Sequence, residues 1–166
     1  MGGGRGRLGH SICAVTAPQP RPSAFFVEHF YSWLDALRPE AKGHLSGPQP
    51  MELGYARTEL RRQLVDAVLR GEKTATAGLP EPGESHGSAG DRCLLLGFDD
   101  EPVGVVELTE VRVLPAGEID VQFVRDEGEG FESVEDWRVA HERFFERPIN
   151  DDTEVVAVRF RLAERF

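Results

Sequence analysis

At 166 residues the chain has room for one domain of ordinary size plus some flank, and not for two. Hydrophobic residues make up 40% and charged residues 29%, which excludes a disordered polymer, and no apolar run approaches the ~20 residues of a membrane span. The net charge is −10, yet residues 1–50 carry five basic side chains against three acidic ones, so the acidic excess lies wholly in residues 51–166. That excludes binding of long nucleic acid through a broad phosphate-neutralising surface and leaves only a local, pocket-like nucleic-acid role.

Residues 1–24 are rich in Gly and Pro, have no acidic residue and little apolar periodicity, and read as a disordered tail. The tail lacks the continuous apolar core of a signal peptide, and two cysteines, Cys13 and Cys93, make no disulfide framework or zinc spacing. The expected compartment is a reducing cytoplasm. From Phe25 the residues Phe26, Phe30, Trp33, Leu34 and Leu37 recur at helical spacing and predict an amphipathic helical extension ending before Pro39.

After Gly47-Pro48-Gln49-Pro50, Thr58 reads as the N-cap of a helix with Leu60, Leu64, Val65, Val68 and Leu69 on one face, stopped by Gly71. Lys73 to Ala77 predicts a short strand. Arg92 to Phe98 and Val103 to Leu114 predict a hairpin around the turn Asp99-Asp100-Glu101-Pro102. Gly117 to Arg125 reads as a short helix. A further helix starts at a capping box, Ser133 with Asp136, carries Val134, Trp137, Ala140, His141, Phe144 and Phe145, and ends before Pro148. Thr153 to Leu162 alternates as a strand, with Val155 breaking its polar face, so both of its sides are expected to be covered. This order predicts an α+β domain around a small, partly open barrel.

Three constellations could carry chemistry. In Gly71-Glu72-Lys73-Thr74-Ala75-Thr76, a chain with 17 arginines keeps one of its two lysines at a helix-to-strand junction. Lys can lose its proton in a protein site and Arg effectively cannot. The junction reads either as a Lys and a hydroxyl sharing a cavity, or as a helix end with a solvated Lys. Residues three apart on a regular strand face opposite sides, so the first reading needs a bend there. In Asp126-Glu127-Gly128-Glu129-Gly130, paired carboxylates could divide acid and base roles and the glycines admit a ligand; the plainer reading is a solvated acidic loop. The Trp137, His141, Phe144, Phe145 stripe reads as core, with His141 a hydrogen-bonded structural residue. No Gly-Lys-Ser/Thr phosphate loop and no His-Glu-x-x-His pair is present.

The run Gln63 to Leu79, with its Gly-x-Lys-x-x-Thr at Gly71 to Thr76, resembles the signature of the ASCH domain, a branch of the PUA superfamily. Gly90-Asp91, the Val105 to Val111 strand, Glu127-Gly128-Glu129-Gly130 and Trp137-x-x-x-His141-x-x-Phe144-Phe145 follow in the order of the larger bacterial members, so the resemblance covers about residues 25–164. It implies a PUA-like β-barrel with surrounding helices over residues 25–166, and a cleft beside the motif. It also implies RNA binding, ribonuclease activity, or hydrolysis of the amide in acylated cytidine. Carried over, the catalytic set is Lys73, Thr76 and Glu127. Glu129 is the rival carboxylate, and Gly71, Thr74, Glu107 and Glu129 are the expected substrate-binding neighbours. The mechanism so implied has Thr76 attack the amide carbonyl, Lys73 assist its deprotonation or act as an electrostatic clamp, and Glu127 protonate the departing amine. The expected partner is a nucleoside or a short RNA segment; no membrane, cofactor or resident metal is expected. A non-catalytic RNA-binding module and a metal-dependent ribonuclease are the alternatives.

Overall fold

A computed structural model describes residues 50–83 and 85–166. The expected tail and the helix from Phe25 lie outside the described residues. In chain order the elements are β1 (Pro50–Met51), α1 (Glu59–Leu69), β2 (Ala75–Gly78), β3 (Arg92–Leu96), β4 (Pro102–Pro115), a 3₁₀ turn (Ala116–Glu118), α2 (Val121–Asp126), α3 (Val134–Phe145) and β5 (Glu154–Arg165). The strands form one sheet in the order β1-β3-β4-β5-β2, antiparallel except for the β1–β3 pair. The α+β class is as expected.

The barrel is not. Among the described residues the sheet stays open, with β1 and β2 as its two edges. Closure would need a ladder between those edges, and β1 offers two residues and β2 four. The long β4–β5 pair carries register shifts at Val105/Val106 and Leu108/Glu110, the kind of irregularity that bends a strand and increases its twist.

Local chemistry explains the helix ends. The Thr58 hydroxyl accepts from the Arg61 N–H at 3.2 Å and opens α1. Asp120 caps α2 through the Phe123 N–H. Ser133 and Asp136 exchange the two bonds of a capping box at α3. β5 then holds the layers together. Its Val156, Val158 and Phe160 pack with Leu64, Val65 and Val68 of α1, while Val155 and Ala157 pack with Phe123, Val124 and Trp137 of α2 and α3. Both sides of β5 are covered, which is why its hydrophobic alternation is incomplete.

α1 also buries a charge. Arg61 is fully enclosed and donates to the Gly54 carbonyl at 2.8 and 3.2 Å, to Asp100 at 2.6 Å and to Glu52 at 3.2 Å. It ties α1 to the chain before it and to the β3–β4 turn. Replacing Arg61 by Met keeps the bulk and removes the donors, leaving the Gly54 carbonyl and two carboxylates unpaired. The expected loss is about 3 kcal/mol, read as a lower urea midpoint.

Candidate functional site

The site is built where α1 ends. Gly71 takes φ +77°, and the N–H groups of Glu72 and Lys73 both donate to the Ala67 carbonyl, at 2.9 and 3.2 Å, so the chain reverses over the last helical turn. Thr74 then donates its N–H to the Asp126 carbonyl at 2.8 Å, and its own carbonyl accepts from the Phe160 N–H at 2.9 Å. The start of β2 is thereby fixed between the end of α2 and β5. Lys73 is 1% exposed. Its Nζ donates to the Glu127 carbonyl at 3.0 Å and to Glu129 Oε1 at 2.8 Å.

The acidic loop is therefore not a solvated run. Glu127 is wholly buried, and its Oε1 accepts from Trp137 Nε1 at 3.1 Å. Its Oε2 has no hydrogen-bond partner and lies 3.5 Å from His141 Nε2. His141 Nδ1 sits 2.8 Å from the Trp137 carbonyl. Burial pushes the Glu127 carboxyl up to about 8; Lys73 opposes the shift and Glu129 adds to it. Burial pulls the His141 imidazole down. Glu129, with a side chain 21% exposed, is the part of the cluster open to solvent.

Glycine serves this loop differently from the expected ligand approach. Gly128 has φ +67°, and a Cβ there would stand 2.6 Å from the Glu72 carbonyl oxygen and 2.9 Å from Lys73 Cα. Its bare backbone packs against the chain's own motif.

Of the predicted site residues, Lys73, Glu127 and Glu129 come together, with Gly71 and Thr74 shaping the turn that delivers them. Thr76 is buried on β2 opposite Val158, which faces α1; its neighbours Ala75 and Ala77 face the Trp137 core on the other side of the sheet. Thr76 makes no hydrogen bond to Lys73, Glu127 or Glu129. Glu107 is engaged elsewhere: it accepts from Arg161 at 2.9 Å and lies 3.6 Å from Arg92, and those bonds hold its carboxyl below its ordinary range. Sequence reasoning missed Trp137 and His141 as site residues by taking their stripe for core. The signal was there: two nitrogen-bearing rings four residues apart on a buried helix face need partners, and the acidic loop just upstream supplies one. The letters Gly83-Glu84-Ser85-His86-Gly87 fit the spacing of a hydrolase nucleophile turn, but Ser85 follows β2 and precedes β3, so it does not lie between a strand and a helix. Among the described residues no group of three or more His, Cys, Asp or Glu side chains is placed to hold a metal ion.

Glu127 provides a thermodynamic check on this geometry. Its folded pKa lies above its unfolded one, so the stability it contributes is full below about pH 4.5 and is lost as pH rises to about 8. His141, shifted down, works in the opposite sense, and only below its ordinary value of 6.5. Above pH 6.5 the opposing His141 slope is gone, while the Glu127 slope continues to about pH 8. Glu127→Gln is expected to flatten that slope and to be more stable than wild type at pH 8 by a margin on the order of 2 kcal/mol, measured by urea unfolding across the window.

The sequence model of the ASCH domain matches residues 51–164. The fold is similar to an ASCH domain crystal structure from Lactobacillus crispatus, with a TM-score of 0.69 and 21% identity over 87% of this chain and 98% of that one. It is also similar to a protein from Enterococcus faecalis, with a TM-score of 0.67 and 18% identity over 84% and 95%. No curated protein matches the sequence. At these identities the structures speak for the fold alone; the family match, spanning well over half of the sequence and both cores, carries the assignment. The chain belongs to the ASCH domain family.

Proposed function

We propose that the Lys73 cluster is the ligand site of this ASCH domain and that its ligand is a nucleoside or one base of a short RNA segment. The observation that carries the reading is the enclosed ammonium of Lys73 bonded to Glu129 at 2.8 Å, with Glu129 partly open to solvent. An ammonium and a carboxylate side by side offer donors and an acceptor in fixed positions. That matches the edge of cytosine, whose exocyclic amine donates and whose ring carbonyl accepts. The acidic character of residues 51–166 fits a small ligand better than a long polyanion.

A second observation favours chemistry at this site. Glu127 keeps its proton up to about pH 8 and is therefore an acid at neutral pH beside the carboxylate of Glu129. In the hydrolytic form of the proposal, the amide of an acylated cytidine is cleaved. Thr76 Oγ adds to the acyl carbon and passes its proton to the Glu129 carboxylate, the C–N bond breaks, the amine leaves with the proton of Glu127, and water then cleaves the Thr76 ester, releasing the acid and restoring the protons of Thr76 and Glu127. Lys73 clamps the developing negative charge. Thr76 is the exacting part, since its hydroxyl must reach the ligand from the Val158 side of β2.

Calorimetric titration with cytidine, acetylated cytidine and a short single-stranded RNA at two salt concentrations tests the binding, and release of acetate tests the reaction. Nucleoside affinity is expected to change less than twofold with salt. Absence of binding by all three ligands refutes the site. Binding without acetate release, or full release by Thr76→Ala, removes the hydrolytic form and leaves a reader.

A further inference from the structure

We infer that Glu127 and His141 form a buried one-proton dyad in which His141 is the acceptor that fixes the acid proton on Glu127 Oε2, behind the Lys73–Glu129 pair. The argument starts from the far nitrogen. His141 Nδ1 lies 2.8 Å from the Trp137 carbonyl oxygen, and a carbonyl can only accept, so Nδ1 carries a hydrogen. A neutral imidazole protonated there leaves Nε2 bare. That nitrogen faces Glu127 Oε2 at 3.5 Å, and Oε2 is the carboxyl oxygen without any hydrogen-bond partner. Oε1 is taken by Trp137 Nε1. Two bare lone pairs would otherwise confront one another where water does not reach, with Glu127 fully buried and His141 enclosed by the rings of Trp137, Phe131 and Phe145 at 4.5 to 6.1 Å. One proton between them removes the conflict.

The charged groups acting on the dyad are Lys73 and Glu129; the Glu129 carboxylate is the rival acceptor for the Glu127 proton, and a proton held there would leave His141 Nε2 unshifted as Glu127 titrates, which would overturn the inference. With Glu127 neutral, Lys73 and Glu129 balance each other. Once Glu127 ionises, a second carboxylate competes for the same ammonium. His141 is therefore a positioning residue: it acts through Glu127 and touches no ligand. Its role in binding rests on the function proposed above, while the proton itself does not.

Imidazole nitrogen NMR of the ligand-free protein, labelled at histidine, reads the dyad directly. The expected spectrum has Nδ1 protonated and Nε2 bare at pH 7, with Nε2 shifting as Glu127 titrates near pH 8. In Glu127→Gln the amide can still donate to Nε2, so the tautomer is kept and the step near pH 8 is lost. An imidazolium at pH 7, the opposite tautomer, or a step that persists in Glu127→Gln overturns the inference. A titration with cytidine then separates the two proposals. Wild type is expected to lose about tenfold in affinity between pH 7 and pH 9 and Glu127→Gln to stay flat. Binding that is flat in both overturns the positioning role, whereas no binding at all refutes the ligand reading and leaves the NMR result standing.

Discussion

Gly128→Ala is expected to lower stability by about 3 kcal/mol and to abolish ligand binding, although it adds one methyl group. Two effects combine. At φ +67° an L side chain costs about 1 to 2 kcal/mol, and the added Cβ would meet the Glu72 carbonyl oxygen at 2.6 Å and its carbon at 2.8 Å. Backbone cannot turn aside as a side chain can, so the loop must lift, and Glu127 and Glu129 on either side of Gly128 move with it. Gly130 supplies the control. It has φ +83° in the same loop but nothing within 4 Å of its would-be Cβ, so Gly130→Ala is expected to cost only the conformational share, about 1 kcal/mol. Equal losses for the two variants in urea unfolding would show that the close approach of Gly128 is not the cause.

Lys73→Met is the second large effect. Methionine fills much the same volume and removes the charge that Glu129 and the Glu127 carbonyl are built around. Breaking a buried pair from one side costs about 3 kcal/mol at neutral pH, because the remaining carboxylate loses its partner. Affinity for any ligand of the site is expected to drop at least 100-fold. A Lys73→Met protein as stable as wild type at pH 7 would mean that the ion pair contributes no net stability. Unchanged affinity would place the ligand elsewhere.

Much of the architecture was legible because the relevant forces are local. Thr58 and the Ser133–Asp136 box mark their helices by short-range hydrogen bonds, and β4 and β5 show as long β-prone runs. Strand β1 was not legible: two residues have no period, and Pro50 and Met51 are held by pairing with Leu94 and Leu95 more than forty positions away. The site followed the same division. Lys73 was conspicuous as one of two lysines in a chain of arginines, and the glutamates stood out as a cluster. Which glutamate is buried, and what buries it, depends on α3 folding back so that Trp137 and His141 meet Glu127, a contact that the ring nitrogens of α3 call for but that no local pattern assigns to one glutamate. How far the barrel closes was hard to read for a related reason, since closure depends on how two edges meet in space.

The turn after α1 has a consequence for motion. Lys73 and Glu72 both hang from the carbonyl of Ala67, and the next peptide is bonded to Asp126 on one side and Phe160 on the other. Phe160 lies on the strand that seals both cores. No segment of this junction can open by itself, because each of its hydrogen bonds ends on an element that packs elsewhere. The backbone amides of Lys73, Thr74 and Phe160 should therefore exchange with deuterium only when the whole domain unfolds, and slow exchange in that set would identify the motif as one of the stiffest parts of the molecule. A backbone so fixed leaves little ordering entropy to oppose the binding proposed above.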